Sequence, residues 1–452
     1  MTKIPKIKVA KKKKKRIGAK PGDKIALVNA RLIDPESGLD ETGGLTIRKG
    51  KIEDIGAHLF ENGPDGYEVI NCGGNIVCPG IIDLLVLTGE PGFEHRETLA
   101  TASRAAAAGG VTTMVCMPDT NPVIDDVALV DFIQRRARDT AIVHVYPMAA
   151  ATRGLDGVEM TEIGLLKEAG AVAFTNGLKS ISNARIMRRL LAYAKDFNAL
   201  VVHNTEEPEL ASSGVMNESE ISSRLGLPGI PASAEVIMLE RDIELVDGSG
   251  ARYHAAQIST SRSLEVIRQA KDRGLPVTCG VSINHLTLNE NDIGPYRTFF
   301  KMRPPLRSEE DRKALVDGLV ADEIDVIVSG HNPKDADVKR RPFAEAEDGA
   351  IGLETLLSAA LRLHHNEDIS LPVILRAMTC NPARILGLPS GRLQLGAPAD
   401  LALIDLGTPW IVEPDRLQSK SKNTPFDESQ LQGRVLRTIV NGNTVFTLST
   451  SE

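Results

Sequence analysis

The fold of this chain is decided by a repeated unit, one copy of which begins at Thr112-Thr113-Met114-Val115-Cys116. This apolar, β-branched stretch predicts a buried strand, residues 125–138 predict an amphipathic helix, and residues 141–145 predict another strand. Further strands are predicted at residues 171–174, 200–203, 252–258, 277–281 and 325–329, and further helices at residues 98–108, 160–169, 184–196, 232–247, 261–273 and 309–321. Repeated β-then-α units indicate a parallel sheet, and about eight of them indicate a (β/α)8 TIM barrel.

Both ends of the chain have the pattern of short β-strands instead. The predicted strands are residues 24–34, 44–52, 399–406 and 435–446. Two of these segments contain tight-turn sequences, Lys49-Gly50 and Asn441-Gly442. Because each end alone would leave exposed strand edges, we expect them to pair with each other. The prediction is an α/β chain with a barrel over residues 80–389 and a small β-sandwich domain built from residues 24–79 and 390–452.

Composition narrows the class of protein. The chain has 452 residues, 42% apolar and 25% charged, which excludes a disordered, collagen-like or membrane-spanning chain. Its five cysteines show no CxxC spacing, and their odd number argues against a disulfide framework. We therefore expect a soluble, cytoplasmic globular protein without a signal peptide.

Charge is unevenly distributed along the chain. Residues 1–23 hold ten Lys and Arg against one acid, so this segment carries +9 and leaves −16 on the rest of a chain whose net charge is −7. A block of like charges without an apolar period cannot bury enough surface to fold, so we expect this tail to be disordered. An acidic partner, or the acidic body of the chain itself, is an alternative target for it. The acidic body and the few aromatic residues argue against nucleic acid as a partner.

Short motifs along the chain resemble those of one protein family. They are residues 79–87 (PGIIDLLVL), 90–98 (EPGFEHRET), 116–122 (CMPDTNP), 215–218 (VMNE), 225–231 (LGLPGIP), 304–307 (PPLR), 352–355 (GLET), 381–383 (NPA) and 423–426 (NTPF). Together they resemble the dihydroorotases of the amidohydrolase superfamily, over about residues 24–446. The resemblance implies a zinc-dependent barrel that interconverts dihydroorotate and carbamoyl-aspartate. The lysine-rich tail is not part of this pattern.

The metal-binding positions implied by the resemblance have lost their ligands. The family's His-x-His on the first barrel strand is Leu85 and Leu87 here, and leucine has no lone pair to offer a metal. Two further ligand positions hold amides, Asn176 for an aspartate and Asn204 for a histidine. Gln257 occupies the position of another histidine ligand, and Gly330 occupies the position of the catalytic aspartate. Glycine cannot act as a general base, so we predict no catalytic residue and no bound metal.

The substrate-binding positions have changed as well. The arginine that would hold the substrate carboxylate is Gly89, and the asparagine of Met-Pro-Asn-Thr is Asp119, a carboxylate that would repel the substrate. The asparagine before the two prolines of the family's Asn-Pro-Pro-Leu is Arg303. Losing the metal, the base and the carboxylate clamp together removes most of what catalysis needs.

Three functions stay open on the sequence. The first is a catalytically inactive dihydroorotase homologue, a pseudoenzyme that serves pyrimidine biosynthesis as a structural or regulatory subunit. The resemblance implies aspartate transcarbamoylase as its partner in a mixed oligomer, with neither nucleic acid nor a membrane involved. The second is an active dihydroorotase, or another cyclic amidohydrolase, with an unusual site. The third is a metal-free metabolite-binding protein that uses Asp119, Arg303, Gln257 and His331.

Overall fold

The N-terminal part of the chain is a run of β-strands. The structure, a computed structural model, describes residues 24–60 and 63–449. Its first strands are β1 Ile25–Asp34, β2 Leu39–Arg48, β3 Lys51–Gly56, β4 Glu68–Asn71 and β5 Ile76–Pro79. The hairpin between β2 and β3 turns at Lys49-Gly50 as predicted, with φ of 51° and 77°, the left-handed values that a two-residue hairpin turn requires. The basic segment 1–23, predicted to be disordered, lies outside the described residues.

The middle of the chain forms the barrel. Its strands are β6 Ile81–Val86, β7 Val111–Cys116, β8 His144–Pro147, β9 Ala149–Ala150, β10 Phe174–Thr175, β11 Val201–His203, β12 Met216–Asn217, β13 Gly229–Ile230, β14 Tyr253–Ala255, β15 Val277–Ser282 and β16 Val326–Val328. Parallel pairs join β6, β7 and β8, and β9, β10, β11, β14, β15 and β16. Only Met148 separates β8 from β9, and Leu87 N donates to His331 O at 2.9 Å to close the ring. The predicted (β/α)8 barrel is confirmed.

Helices surround this barrel. They are α1 Leu99–Ala108, α2 Val127–Thr140, α3 Ile163–Glu168, α4 Ala184–Asp196, α5 Pro208–Ala211, α6 Glu220–Leu225, α7 Ala232–Ser249, α8 Ser261–Asp272, α9 Ile283–Thr287, α10 Glu309–Val320, α11 Ala336–Lys339, α12 Leu356–Glu367, α13 Leu371–Met378 and α14 Cys380–Leu386. In α4, Asn183 caps the N-terminus by accepting from Arg185 N at 3.0 Å. Its buried residues Met187, Leu190 and Ala194 recur at helical spacing, which fixes the face that packs on the barrel.

Three predicted elements are displaced. The strand predicted at 141–145 lies instead at β8 and β9, because α2 runs on to Thr140 and Ala141 is its C-terminal cap. The strand predicted at 171–174 begins only at Phe174, and the helix predicted at 160–169 begins only at Ile163. Alanines at 149–150 form a buried strand despite their low β propensity, because burial in the barrel outweighs intrinsic preference.

The two ends of the chain meet in one sheet. The last strands are β17 Leu401–Ile411, β18 Gln430–Val440 and β19 Asn443–Thr447. The sheet order is β19-β18-β17-β5-β1-β2-β3, with β4 beside β1, so β5 joins the N-terminal strands to the C-terminal ones. Apolar residues from both ends, among them Leu27, Ile47 and Leu401, form the core of this small β-sandwich domain. Among residues 24–60 and 63–449, no helix combines the length and apolar character needed to span a membrane.

Candidate functional site

The barrel mouth, the space at the C-terminal ends of the barrel strands, is narrowed by leucine side chains and also lined by amides and other polar groups. Leu85 is only 6% exposed and belongs to an apolar cluster with Met117, Val202 and Ala256 inside the barrel. Leu87 is half-buried just above it. The cavity that both leucines line measures about 30 Å³. That volume holds about one or two waters, whereas small-molecule sites measure roughly 300–1,000 Å³. The mouth is therefore closed.

The structure brings four of the six predicted ligand positions to this cavity. Leu85, Leu87, Gln257 and Gly330 all line it. Gly330 has a φ of 63°, and a Cβ built there would lie 3.5 Å from Gln257 Nε2. Asn204 lines a second space, of about 10 Å³, together with Leu85 and Gln257. The family pattern therefore identifies these five positions as neighbours. They are occupied by two leucines, two amides and a glycine, which supply no imidazole or carboxylate ligand.

Asn176 is not among the residues that line the mouth. Its side chain is buried, accepts from Thr152 Oγ1 at 2.5 Å and donates to Leu155 O at 3.2 Å, so it holds the loop before α3. The neighbouring Gly177 lines the mouth instead, and a Cβ there would lie 2.3 Å from both carboxylate oxygens of Asp119. Sequence reasoning missed Gly177. A glycine next to an expected ligand position indicates that the family motif can be aligned one residue further along the chain.

Asp119 is a buried carboxylate beneath the mouth. Its Oδ1 accepts from Leu178 N at 3.0 Å, while its buried Oδ2 finds no hydrogen-bond partner among the described residues. Burial raises the pKa of Asp119 to about 6. The carboxylate fills the space that a side chain at Gly177 would need, so it orders the loop and leaves no room there for a ligand.

Leu178 is the plug of the mouth, and sequence reasoning did not single it out. It lines both small spaces of the mouth and also a polar vestibule of about 290 Å³ above them. Its N–H donates to Asp119, and its carbonyl accepts from Asn204 Nδ2 at 2.7 Å. Two predicted site residues therefore fix the backbone of Leu178, whose 39% exposed side chain lines all three spaces.

Arg303 is engaged with another side chain. Its Nε donates to both carboxylate oxygens of Glu206 at 2.8 Å, and its Nη2 donates to Ala211 O at 3.2 Å. Burial is the largest single influence and acts to lower the pKa of Arg303, but the hydrogen bond and charge of Glu206 together with the charge of Asp348 outweigh it and raise this pKa. A substrate carboxylate would have to displace Glu206 to bind this guanidinium.

Gly89 cannot be replaced by the arginine of the family pattern without rebuilding its loop. Its φ is 69°, a left-handed value that favours glycine. A Cβ at this position would lie 2.7 Å from Phe93 O. The backbone of this loop therefore requires glycine at position 89.

The histidines near the barrel do not replace the metal ligands that the mouth lacks. His285 Nε2 donates to Pro304 O at 3.1 Å, and burial lowers the pKa of His285 to about 4. His203 is fully buried between helices, with Nδ1 at 2.7 Å from Asp242 Oδ2. His331 lies 3.7 Å from Glu97 in a buried cluster that contacts Ser419, away from the mouth.

The residues present do not fit a zinc ion. Nowhere in residues 24–60 and 63–449 do three His, Cys, Asp or Glu side chains come together to hold a metal. The donors that line the mouth are amides, the Ser282 hydroxyl and the single imidazole of His285, while a protein zinc site needs three or four imidazole, thiolate or carboxylate ligands. The four residues considered for a metabolite site do not form one free site: Gln257 and Arg303 line the same cavity, but Arg303 is bound to Glu206 and His331 faces Glu97.

A buried polar cluster next to the mouth is complete. We call it the Arg307 cluster; it consists of Arg307, Asn217, Glu235, Ser259 and Glu290. Arg307 donates to Asn217 Oδ1 at 2.9 Å, to Ile230 O at 2.8 Å and to Ser259 Oγ at 3.0 Å. Glu235 accepts from Ser259 N at 2.8 Å, and Glu290 accepts from Asn217 Nδ2 at 2.9 Å. Segments quoted above from 215–218, 225–231 and 304–307 therefore meet in one hydrogen-bonded framework.

Comparison with known proteins supports one family. The family described as Dihydro-orotase-like matches residues 74–263, and the Amidohydrolase family matches residues 320–446. A dihydroorotase of Wolbachia sp. subsp. Brugia malayi is 44% identical over 426 residues, which cover 94% of this chain and 96% of that protein. Dihydroorotases of Anaplasma phagocytophilum and Geobacter sp. are 43% and 41% identical, and each alignment covers 93% of this chain.

Solved structures with this fold include a hydantoinase and a dihydropyrimidinase. The L-hydantoinase of Arthrobacter aurescens superposes with a TM-score of 0.84 at 24% identity and covers 95% of this chain and 98% of its own. The dihydropyrimidinase of Brevibacillus agri superposes with a TM-score of 0.80 at 19% identity, over 94% and 95% of the two chains. At such identity these likenesses establish the barrel and β-sandwich fold alone.

Proposed function

We propose that this chain, which belongs to the dihydroorotase family of the amidohydrolase superfamily, is a pyrimidine-pathway protein that has lost ring hydrolysis and acts as a structural subunit. The observation that carries the proposal is the closed barrel mouth, where a space of about 30 Å³ lies between Leu85, Leu87 and Gln257. A substrate ring cannot enter such a space without moving the leucines.

Each chemical requirement of metal-assisted hydrolysis is unmet at this mouth. A zinc ion needs three or four donors to lower the pKa of a bound water, and Leu85 and Leu87 supply none. Removal of a proton in the reaction needs a base, and Gly330 has no side chain. Holding the substrate carboxylate needs a free cation, while Arg303 is bound to Glu206. We infer that no zinc cofactor is required.

The intact framework supports a structural role. The Arg307 cluster is fully hydrogen-bonded, and the rim loops are tied together by ion pairs such as Lys334 to Glu347 at 2.9 Å. The sequence resemblance points to aspartate transcarbamoylase as the partner, which this chain would hold in a mixed oligomer and stabilise through association.

Co-purification with the aspartate transcarbamoylase of the same organism tests the proposal. The two chains are expressed together, captured through a tag on one of them, sized by light scattering and assayed for both activities. We expect a complex of fixed stoichiometry that has transcarbamoylase activity and does not cyclise carbamoyl-aspartate. Separate elution of the two chains at micromolar concentration would contradict the partnership, and cyclisation by the complex would contradict the loss of catalysis.

A matched pair of variants shows whether the closed mouth itself takes part in assembly. Leu178→Gly removes the plug, and Leu395→Gly removes a leucine of the β domain that is more exposed, at 60% against 39%. If the subunit role depends on the framework and not on the mouth, both variants retain the partner. Loss of the partner with Leu178→Gly alone would place the interface at the mouth.

A further inference from the structure

A second and much larger cavity lies between the barrel and the β domain. It measures about 510 Å³ and lies between the end of α1, the beginning of α12 and strands β17, β18 and β19. This volume falls within the range of roughly 300–1,000 Å³ that small-molecule sites occupy, and domain boundaries are a common place for them. Nothing in the family reaction uses this space, because the reaction belongs to the barrel mouth.

One wall of this interdomain cavity is a fixed aromatic ring. Trp410, the single tryptophan of the chain, donates its Nε1 hydrogen to Gly433 O at 3.2 Å and to Ser358 Oγ at 3.3 Å. The Arg434 guanidinium lies 4.9 Å from the centre of the indole ring. Because hydrogen bonds hold the indole in place, its orientation does not need to be fixed when a ligand binds.

The local backbone explains why Trp410 faces this space. Strand β17 loses its register against β18 between Asp405 and Pro409. The Asp405 carboxylate holds this irregular segment by accepting from Gly407 N at 2.7 Å and Thr408 N at 3.1 Å. The strand resumes at Pro409 with Trp410 beside the barrel helices, and Phe446 of β19 adds a second aromatic ring to the cavity.

A buried carboxylate supplies the polar contact. Glu354 lines the cavity and accepts from Gln418 N at 2.8 Å and from Ser419 N at 3.0 Å. Burial raises the pKa of Glu354 to about 7. Each carboxylate oxygen has a second lone pair, so the group can accept further N–H donors. At the rim, the Arg416 side chain is paired with Glu413 at 2.8 Å.

We propose that the interdomain cavity binds a flat nitrogen heterocycle of the nucleobase type, which stacks on Trp410 or Phe446 and donates a ring N–H to Glu354. Two aromatic rings favour a planar ligand, since stacking needs only a π-face. The Glu354 carboxylate favours rings that carry an N–H donor. A purely hydrocarbon ring is disfavoured because it gives this carboxylate no further hydrogen bond. This inference does not depend on the proposed loss of catalysis.

Fluorescence of Trp410 reports binding directly, because the chain has no other tryptophan. The full chain is titrated with uridine, adenosine and their 5′-monophosphates, and isothermal titration calorimetry provides an independent affinity. We expect saturable quenching by at least one nucleoside. Tighter binding of a monophosphate than of its nucleoside would show that a nucleotide is the preferred ligand. Equal binding would show that the phosphate adds nothing to the affinity.

Variants decide whether the quenching comes from this cavity. Phe446→Leu keeps the volume but removes the ring, and we expect it to weaken binding by about tenfold, as loss of one stacking partner does. Phe132→Leu, on the exposed face of α2, is the matched control and leaves the affinity unchanged. Glu354→Gln, checked for an unchanged melting temperature, tests the carboxylate.

Two results overturn the proposal. One is the absence of saturable binding of all four compounds, both to the full chain and to a chain ending at Ser449, which removes the residues beyond the described part. The other is binding that Phe446→Leu and Glu354→Gln leave unchanged, because the ligand would then lie elsewhere.

Discussion

Arg303 and Arg307 lie four residues apart on one segment, yet their surroundings differ in kind. The Arg307 side chain is 3% exposed and joins three segments through the Arg307 cluster, whereas the Arg303 side chain is 33% exposed and binds Glu206 at the rim. The framework around the barrel mouth is thus a satisfied polar network, while the mouth itself combines the leucines at 85, 87 and 178 with amides beneath one ion pair. This contrast supports the proposal that the barrel has kept its architecture while the residues that would touch metal and substrate have changed.

The largest loss of stability is expected from a substitution in the Arg307 cluster. Arg307→Leu leaves Glu235 and Asn217 buried without their cation, which should lower the free energy of unfolding by about 3–5 kcal/mol. Arg303→Leu is the matched control, and loss of its partly exposed pair should cost about 1 kcal/mol. Urea denaturation followed by circular dichroism measures both. Equal losses would show that the two arginines do not differ as described.

A smaller effect is expected at the mouth. If Leu85 is core packing, Leu85→Ala should destabilise the chain by about 2–3 kcal/mol, because a cavity remains in a packed barrel. Leu87→Ala, at a half-buried position, should cost about 1 kcal/mol. Thermal melts of the two variants test this order. A Leu85→Ala variant as stable as the wild type would mean that the mouth is loosely packed.

The smallest effect concerns Asp119 and depends on pH. Burial raises its pKa to about 6, so in the pH range from about 4 to 6 the folded state keeps a proton that the unfolded state has lost. Stability should therefore fall as pH rises through this range. Asp119→Asn removes the titration and should stabilise the chain at pH 8 by about 1–2 kcal/mol, with no gain at pH 4.

Exposed Asp139 provides the control for that measurement. Asp139→Asn, at the end of α2, should change stability by the same small amount at both pH values. If Asp119→Asn behaved like this control, the Asp119 carboxylate would be solvated and the mouth more open than the structure shows.

The sequence predicted the architecture well and the closure of the mouth only in part. Periodicity located most strands and helices, but it could not place β9 or the start of α3, because burial in the barrel and helix extension decided those boundaries. The family pattern marked Leu85, Leu87, Gln257 and Gly330 correctly as neighbours. It could not show that Leu178 plugs the mouth, since that follows from the backbone of the loop and its contacts with Asp119 and Asn204.

The zinc content and the turnover rate of the isolated chain decide whether the barrel mouth is catalytically inactive. The protein is purified from zinc-supplemented cells, its metal is counted by mass spectrometry, and dihydroorotate hydrolysis is followed with and without added Zn²⁺. The dihydroorotase of Geobacter sp., 41% identical, is treated in parallel. We expect substoichiometric zinc and no metal-dependent rate for this chain. One zinc per chain together with a Zn²⁺-dependent rate would contradict a barrel that has kept its framework and lost its reaction.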